Sequence, residues 1–234
     1  MIIDIVGVLR IDVSRSEGLS LYTGPGASRI DDAGGRLPCW DTPLRPSLYR
    51  LRWRAVAEEI VPDDKNWTWV LEQECGDCGF DAPSFAVAGT AEMVRNVGAR
   101  WVTVLARADV RERPRPDVWS PLEYACHVRD VFRIMDMRLG LMLDSHDPTF
   151  ENWDQDATAV EDGYGAQDPA TVANELTAAA GMFAARYAGV SGEQWARRGF
   201  RSDGSVFTVE SLARYMLHDP LHHLWDVGEP LPAP

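Results

Sequence analysis

A histidine-rich hexapeptide near the carboxyl end of the chain carries the sharpest chemical signal. It reads His218-Asp219-Pro220-Leu221-His222-His223. On an α-helix, His218 and His222 would lie one turn apart, with β-carbons about 5–6 Å from each other, so both imidazoles could bind one metal ion. His223 is rotated by about 100° from His222 on such a helix and is expected to point elsewhere. Pro220 is expected to kink or end the helix, which would alter this geometry.

A metal site needs a third ligand, and His127 is the natural candidate. Glu123 lies four residues before it and Asp130 three residues after it, so the three residues form a polar stripe on an otherwise apolar predicted helix. Helical bundles build metal sites from inward-facing stripes of this kind. Asp130 and Asp219 are candidates for carboxylates that hydrogen-bond to a ligating imidazole. The alternative is that each histidine is a core or surface residue without a metal.

Two cysteines form a second candidate group. Cys75-Gly76-Asp77-Cys78-Gly79 places two thiols with two residues between them before a glycine, which is typical of a zinc-ribbon knuckle. A structural zinc ion needs four ligands, and the other thiols, Cys39 and Cys126, do not form a second pair. Three interpretations of Cys75 and Cys78 therefore stay open: a zinc knuckle, a redox-active disulfide pair, and a plain tight turn.

A polar segment between two predicted helices is the third candidate. Residues 152–156 contain Trp153, Asp154 and Gln155, which could form a lid over the mouth of a helical bundle. The alternative is a solvated acidic loop that Trp153 anchors. The arginines of the segment 197–207 could bind an anionic substrate or provide plain surface charge.

Four predicted helices must position these groups. The first spans 83–107, where Met93, Val97 and Trp101 recur at helical spacing. The remaining three span 120 to about 143, 168–189, and 208 to about 225. Ser120 followed by Pro121, with Glu123 three residues after the serine, is a strong helix-start signal.

The arrangement of these helices predicts an all-α fold. Four helices, with no segment that alternates convincingly as a strand, indicate a four-helix bundle. The link from Asp144 to Gln167 is far longer than the usual connection of about two to eight residues. A long crossover predicts that the second and third helices run parallel, which gives an up-down-down-up bundle.

Composition excludes several classes of protein. The 234 residues include 23 basic and 36 acidic side chains, for a net charge of −13. This charge repels phosphate backbones, and no local basic stripe compensates for it, so no nucleic-acid partner is expected. No apolar run approaches the roughly 18–20 residues of a membrane helix. With sparse cysteines and no signal-peptide pattern, the expected location is the cytoplasm.

The chain divides into four predicted regions. Residues 1–64 are rich in glycine and proline over 23–46 and are expected to be a poorly ordered extension or the product of a misassigned start. Residues 65–82 form a lead-in that contains the cysteine pair. Residues 83–227 form the bundle, and residues 228–234 form a tail.

The motifs on two of the predicted helices resemble those of a known superfamily. The segment Ala125–Asp130 around His127 and the pair His218 and His222 are similar to the DinB-like superfamily, also called YfiT-like metal-dependent hydrolases. Four segments also resemble an actinobacterial subgroup of this superfamily: Trp119–Tyr124, Asn152–Ala157, Arg201–Gly204 and the histidine-rich hexapeptide 218–223. The resemblance as a whole covers residues 65 to about 227.

This resemblance implies a four-helix bundle that binds a divalent metal, often zinc or nickel, through His127, His218 and His222. Pro220 departs from the usual helical pair. Relatives in the superfamily include thiol S-transferases that use bacillithiol or mycothiol, and a maleylpyruvate isomerase that this chain resembles in the bundle only. The resemblance therefore implies a metal-dependent transferase that uses a low-molecular-weight thiol, or a hydrolase, acting on a small-molecule substrate.

The absence of other catalytic motifs agrees with metal chemistry. The sequence contains no phosphate loop, no GxGxxG after a strand and no GxSxG elbow. A second hypothesis stays open: a bundle without catalytic activity that binds a metal or small ligand, or that assembles as a homodimer.

Overall fold

Helices make up most of the described chain. The computed structural model describes residue 60 and residues 65–232, so the predictions for the extension and for Cys39 lie outside the described residues. The helices are α1 (Thr90–Leu105), α2 (Pro121–Asp144), α3 (Gln155–Glu161), α4 (Pro169–Ala188) and α5 (Val209–Asp226). The four long helices α1, α2, α4 and α5 correspond to the four predicted ones. Within residues 65–232, no helix is both long and apolar enough to cross a membrane.

The start of α2 forms as the sequence predicts, whereas the start of α1 does not. The Ser120 side chain accepts a hydrogen bond from the Glu123 amide, and the Glu123 carboxylate accepts one from the Ser120 amide at 2.8 Å. By contrast, α1 begins at Thr90 rather than at Pro83. A short 3-10 helix, Val87–Gly89, precedes it, and the Thr90 hydroxyl donates to the Val87 carbonyl at 2.7 Å. The predicted first helix was therefore too long at its amino end.

Ion pairs show that α2 and α4 run parallel. Near the start of both helices, Arg129 donates to Glu175 at 2.9 Å. Farther along both helices, Arg186 donates to Asp136 at 2.6 Å. Residue numbers therefore rise in the same direction along both helices. This confirms the prediction that the helices joined by the long crossover run parallel.

Two hydrogen bonds give the direction of α1 relative to α5. The indole of Trp101 donates to the Pro220 carbonyl at 3.2 Å, and Arg107 donates to the Val227 carbonyl at 2.7 Å, so α1 and α5 run parallel.

Helices α2 and α5 run antiparallel. The Tyr124 ring lies 4.7 Å from the His223 ring, while His127, farther along α2, contacts Asp219, which is earlier on α5. The bundle is therefore up-down-down-up, as predicted.

The structure also contains a small sheet, which the sequence pattern does not indicate. Its strands are β1 (Thr149–Phe150), β2 (Arg198–Arg201) and β3 (Val206–Thr208), in the order β1-β2-β3. Strand β1 pairs with β2 in parallel, and β2 pairs with β3 in an antiparallel hairpin. Strands of two to four residues are too short for alternation to be recognised. The sheet joins the crossover to the segment that leads into α5.

The core consists mainly of apolar side chains from the four long helices, and the crossover and the sheet add Tyr164, Phe150 and Phe207. Its largest fully buried members include Trp101, Phe132, Phe183, Leu176 and Met216. Helices α1 and α4 are in close contact at Gly98, where an added β-carbon would lie 2.9 Å from the Ala180 β-carbon. Only glycine fits this contact without a shift of backbone.

Replacing Gly98 with valine is expected to destabilise the bundle by about 1–3 kcal/mol, because the new side chain overpacks the α1–α4 contact. Gly181→Val is the matched control, since no heavy atom lies within 4 Å of its β-carbon position. The control is expected to stay within about 0.5 kcal/mol of the wild type. Urea unfolding measures both, and equal effects of the two substitutions would contradict the close contact at Gly98.

Candidate metal centres

Helix α5 is continuous through the histidine-rich hexapeptide. It does not end at Pro220, contrary to one of the expected outcomes, although proline removes one backbone N–H from the helix. The carbonyl of Pro220 accepts a hydrogen bond from the buried Trp101 indole, which ties this turn to α1. The regular helix therefore presents two pairs of residues four positions apart, on adjacent faces.

One pair joins His127 in a first group, which we call the His–Asp cluster. It consists of His127, Asp219 and His223, whose potential ligand atoms all lie within 4.8 Å of one another. Nε2 of His127 is 3.2 Å from Oδ1 of Asp219, and the rings of His127 and His223 lie 5.1 Å apart, edge to face. His127 is fully buried, while the other two are partly exposed. The cluster thus has one side within the bundle and one accessible side.

Aromatic packing orients His127. The Trp153 ring stacks on its imidazole at 5.3 Å with an interplanar angle of 5°, and the Trp119 ring lies 5.4 Å away. Within residues 65–232, Nδ1 of His127 has no hydrogen-bond partner. Stacking, rather than a hydrogen bond to Nδ1, therefore keeps Nε2 directed at Asp219.

The electrostatics of the cluster favour an ionised Asp219. Partial burial opposes ionisation, but attraction to the imidazoles of His127 and His223 prevails and lowers the pKa of Asp219 to about 2. The carboxylate is therefore in its anionic form at neutral pH, which is the form that binds metal ions.

The second pair of α5 joins the two cysteines in another group, which we call the Cys–His cluster. It consists of Cys75, Cys78, His218 and His222, all buried, with potential ligand atoms within 4.8 Å of one another. Sγ of Cys75 lies 3.5 Å from Nδ1 of His222. Burial, followed by the charge of His222, lowers the pKa of His218 to about 4, and burial raises the pKa of Cys78 to about 12.

The structure therefore distributes the predicted metal ligands over two clusters. His218 and His222 lie with the cysteines, whereas His127 lies with Asp219 and His223. His223 does point away from His222, as expected, but it points towards His127. Asp219 and His223 have the same four-residue spacing as His218 and His222, and this signal could have identified them.

Asp130 is not an imidazole partner in the structure. Its carboxylate accepts hydrogen bonds from Arg129 at 2.9 and 2.8 Å, from Arg133 at 3.0 Å, and from the Tyr164 hydroxyl at 2.7 Å. Burial raises the pKa of Tyr164, whereas for Asp130 these hydrogen bonds outweigh burial and lower the pKa. Asp130 is therefore part of a buried ionic network that joins α2 to Tyr164, at the end of the crossover.

The predicted lid segment lies beside the His–Asp cluster. Trp153 covers His127, and Asp154 caps α3 by accepting from the Ala157 amide at 2.8 Å. These two residues and Gln155 line a cavity of about 410 Å³ whose wall also includes Asp219. The crossover is thus structured, and it forms one wall of the candidate site.

A buried arginine lies in the wall of the same cavity. Arg138 is only 3% exposed, and its Nη2 donates to the Glu151 carbonyl at 2.8 Å. In the described part of the chain, its Nε has no partner and no carboxylate lies within 4.0 Å of its guanidinium. Burial, followed by the charge of nearby Arg201, lowers the pKa of Arg138 to about 10.

The fold and site together define an up-down-down-up helical bundle with histidine and carboxylate side chains beside a cavity. Residues 91–227 match the family model of the DinB superfamily, and the chain belongs to this superfamily.

One solved structure shares the fold. It is that of YfiT from Bacillus subtilis, described as "a probable metal-dependent hydrolase with an unusual four-helix bundle topology". The two chains are 17% identical, with a TM-score of 0.55, and the match covers 63% of this chain and 92% of YfiT. Comparison with curated proteins finds no match.

The ionic network predicts a structural role for Asp130. Asp130→Asn is expected to lower the free energy of unfolding by about 1–3 kcal/mol, because asparagine cannot accept all the hydrogen bonds from Arg129, Arg133 and Tyr164, although Arg129 keeps its ion pair with Glu175. Asp117→Asn breaks an exposed pair with Arg115 and is expected to cost less than about 1 kcal/mol. Chemical denaturation measures stability, and elemental analysis measures bound metal. Loss of metal in a stable Asp130→Asn protein would instead support a role for Asp130 beside the metal.

Proposed function

We propose that this chain is a divalent-metal-dependent enzyme that acts on a small molecule, with His127, Asp219 and His223 as the metal ligands. The observation that carries the proposal is that the ligand atoms of these residues converge, and that Asp219 among them lines a cavity of about 410 Å³. Two imidazoles and one carboxylate form the donor set of known catalytic zinc sites, which keep one position open. This ligand set replaces His218 and His222 of the sequence-based prediction with Asp219 and His223.

The residues present fit a divalent metal such as zinc or nickel. Imidazole nitrogens suit both metals, and an ionised carboxylate adds the negative charge that a dication needs. When bound, such a metal acts as a Lewis acid and lowers the pKa of a coordinated thiol or water. The chain itself holds His127 by stacking, keeps Asp219 ionised, and shields the buried side of the cluster with Trp153 and Trp119.

Transfer of a low-molecular-weight thiol is the reaction that we favour. In it, the thiol sulfur forms a bond to an electrophilic carbon, the leaving group departs with the bonding electrons, and the thiol proton is released to solvent. The resemblance to thiol S-transferases supports this reaction. The fold shared with YfiT supports hydrolysis as a second candidate, in which water replaces the thiol.

The electrophile that fits the cavity carries an anionic group. Arg138 lines the cavity and has no carboxylate partner within the described residues, so a substrate carboxylate or similar anion would compensate its charge. Arg201 on β2 also lines the cavity, although its guanidinium already contacts Asp203 and Tyr215. Arg138 is therefore the residue that we assign to substrate binding.

Removing a ligand of the His–Asp cluster is expected to abolish metal-dependent turnover. Thiol consumption and ester hydrolysis should fall to the metal-free background in His127→Ala and Asp219→Asn, because the first removes one of three ligands and the second removes the negative charge that a dication needs. His146→Ala is the matched control, since that side chain is 93% exposed and lies outside both clusters. It is expected to keep wild-type activity.

The same assays separate an enzyme from a binding module. Equal rates for wild-type protein, metal-free protein and both ligand variants, with metal bound only by the wild type, would contradict catalysis and support a bundle that binds metal without turnover. Thiol-dependent product formation identifies the transferase, whereas product formation without added thiol identifies the hydrolase.

Substrate recognition by Arg138 gives a separate prediction. Arg138→Met is expected to raise KM for an electrophile bearing a carboxylate by about 10- to 100-fold, because a charged hydrogen bond is lost. KM for the matching methyl ester should change little. The free energy of unfolding should not fall, since the substitution removes a buried charge that lacks a carboxylate partner among residues 65–232. Equal KM changes for acid and ester would refute this assignment.

A further inference from the structure

We propose that Cys75, Cys78, His218 and His222 bind a structural zinc ion that clamps the segment before the bundle onto α5. This site is separate from the His–Asp cluster, and it has a different donor set and different surroundings. Its proposed role is to hold the segment that contains Trp67 in place beside the cavity.

The donor set and its spacing are those of a structural zinc site. Two thiols separated by two residues and two imidazoles separated by three residues match the Cys₂His₂ pattern, in which protein side chains fill all four positions. A zinc tetrahedron has ligand-to-ligand distances of about 3.3–3.8 Å, given Zn–N and Zn–S bonds of about 2.0–2.3 Å. The 3.5 Å separation of Cys75 Sγ and His222 Nδ1 already falls in this range, and every other pair lies within 4.8 Å.

The backbone around the cysteines forms a tight knuckle. The Gly79 amide donates to the Cys75 carbonyl at 2.8 Å, and the Cys75 amide donates to the Phe80 carbonyl at 3.1 Å. Gly79 has a φ of 72°, in the left-handed region that favours glycine. This turn brings both thiols to the same face of α5, which explains why glycine directly follows the second cysteine.

A buried nitrogen without a hydrogen bond points independently to a ligand. Nε2 of His218 has no hydrogen-bond partner in the described part of the chain, although the residue is only 3% exposed. Leaving such a group unsatisfied costs about 1–3 kcal/mol. A zinc ion bound to this nitrogen would remove the penalty.

Burial distinguishes the Cys–His cluster from a catalytic or redox site. Cys75 is 1% and Cys78 7% exposed, and neither lines the cavity that contains Arg138, so a substrate in that cavity does not reach the sulfurs. Four protein ligands also leave no open position for a substrate. A closed, buried site therefore serves stability rather than turnover.

The clamp would fix part of the cavity wall. The Trp67 ring lies 5.3 Å from the ring of His218 and 5.3 Å from that of His222, so it packs directly on two of the proposed ligands. Trp67 also lines the cavity that contains Asp219 and Arg138. A zinc ion at the Cys–His cluster thus connects the lead-in segment to the site of the proposed reaction.

Cobalt substitution of the full-length protein tests this site by spectroscopy. Cobalt bound to cysteine gives thiolate-to-cobalt charge-transfer absorption, which histidine and carboxylate ligands do not give. We expect this absorption in the wild type and in His127→Ala, and a marked decrease in Cys75→Ser and in Cys78→Ser, because each variant removes one of the two thiolates. Cys126→Ser is the matched control, because Cys126 is buried near Tyr164 and Gln167 rather than in the cluster.

Elemental analysis of zinc-loaded protein provides the second measurement. Cys78→Ser and His222→Ala should each lose one equivalent of zinc relative to the wild type, whereas His222→Cys should retain it, because a thiolate can replace the imidazole. Circular dichroism identifies variants that fail to fold, and His222→Cys separates loss of a ligand from loss of structure.

Two results would overturn the proposal. The first is a folded wild-type protein without charge-transfer absorption after cobalt loading. The second is a Cys75–Cys78 disulfide in protein purified without reductant or chelator, found by mass spectrometry, which would establish a redox pair. Because the absorption depends on the cysteines and not on His127, failure of this proposal is distinguishable from failure of the proposed enzyme function.

Discussion

The continuity of α5 through Pro220 is the constraint on which both candidate metal centres depend. Residues four apart on a helix share a face, and adjacent residues are rotated by about 100°, so one regular turn presents two pairs in two directions. His218 and His222 face the segment before the bundle, while Asp219 and His223 face α2. A break at the proline would separate the members of each pair. The hydrogen bond from Trp101 to the Pro220 carbonyl holds this turn against α1.

The up-down-down-up topology explains how the rest of the site is built. Because α2 and α4 are parallel, the chain must travel the length of the bundle between them, and this crossover provides the wall of the cavity. Within the crossover, Trp153 stacks on His127. Strand β1 of the crossover pairs with β2, the strand that carries Arg201, and Arg201 also lines the cavity. The crossover is long because α2 and α4 run parallel, and the same segment also supplies residues around the site.

Much of the fold could be predicted from the sequence, because its signals are local. The capping box at Ser120, the helix periodicities and the long crossover give the four helices and their directions. The short strands carry too few residues for a periodic signal, and α1 starts late because a 3-10 turn precedes it. For the site, spacing identified the residues that carry chemistry but not their grouping. Whether His222 approaches Cys75 or His127 depends on the rotation of α5, which sequence spacing does not give.

In the proposed catalytic site, His127 shares one metal ion with Asp219 and His223. Anomalous diffraction at the zinc edge, from crystals of the zinc-loaded full-length protein, would locate this ion. We expect an anomalous peak with His127, Asp219 and His223 at metal–ligand distances of about 2.0–2.2 Å. A single peak bound by His127, His218 and His222 together would contradict it.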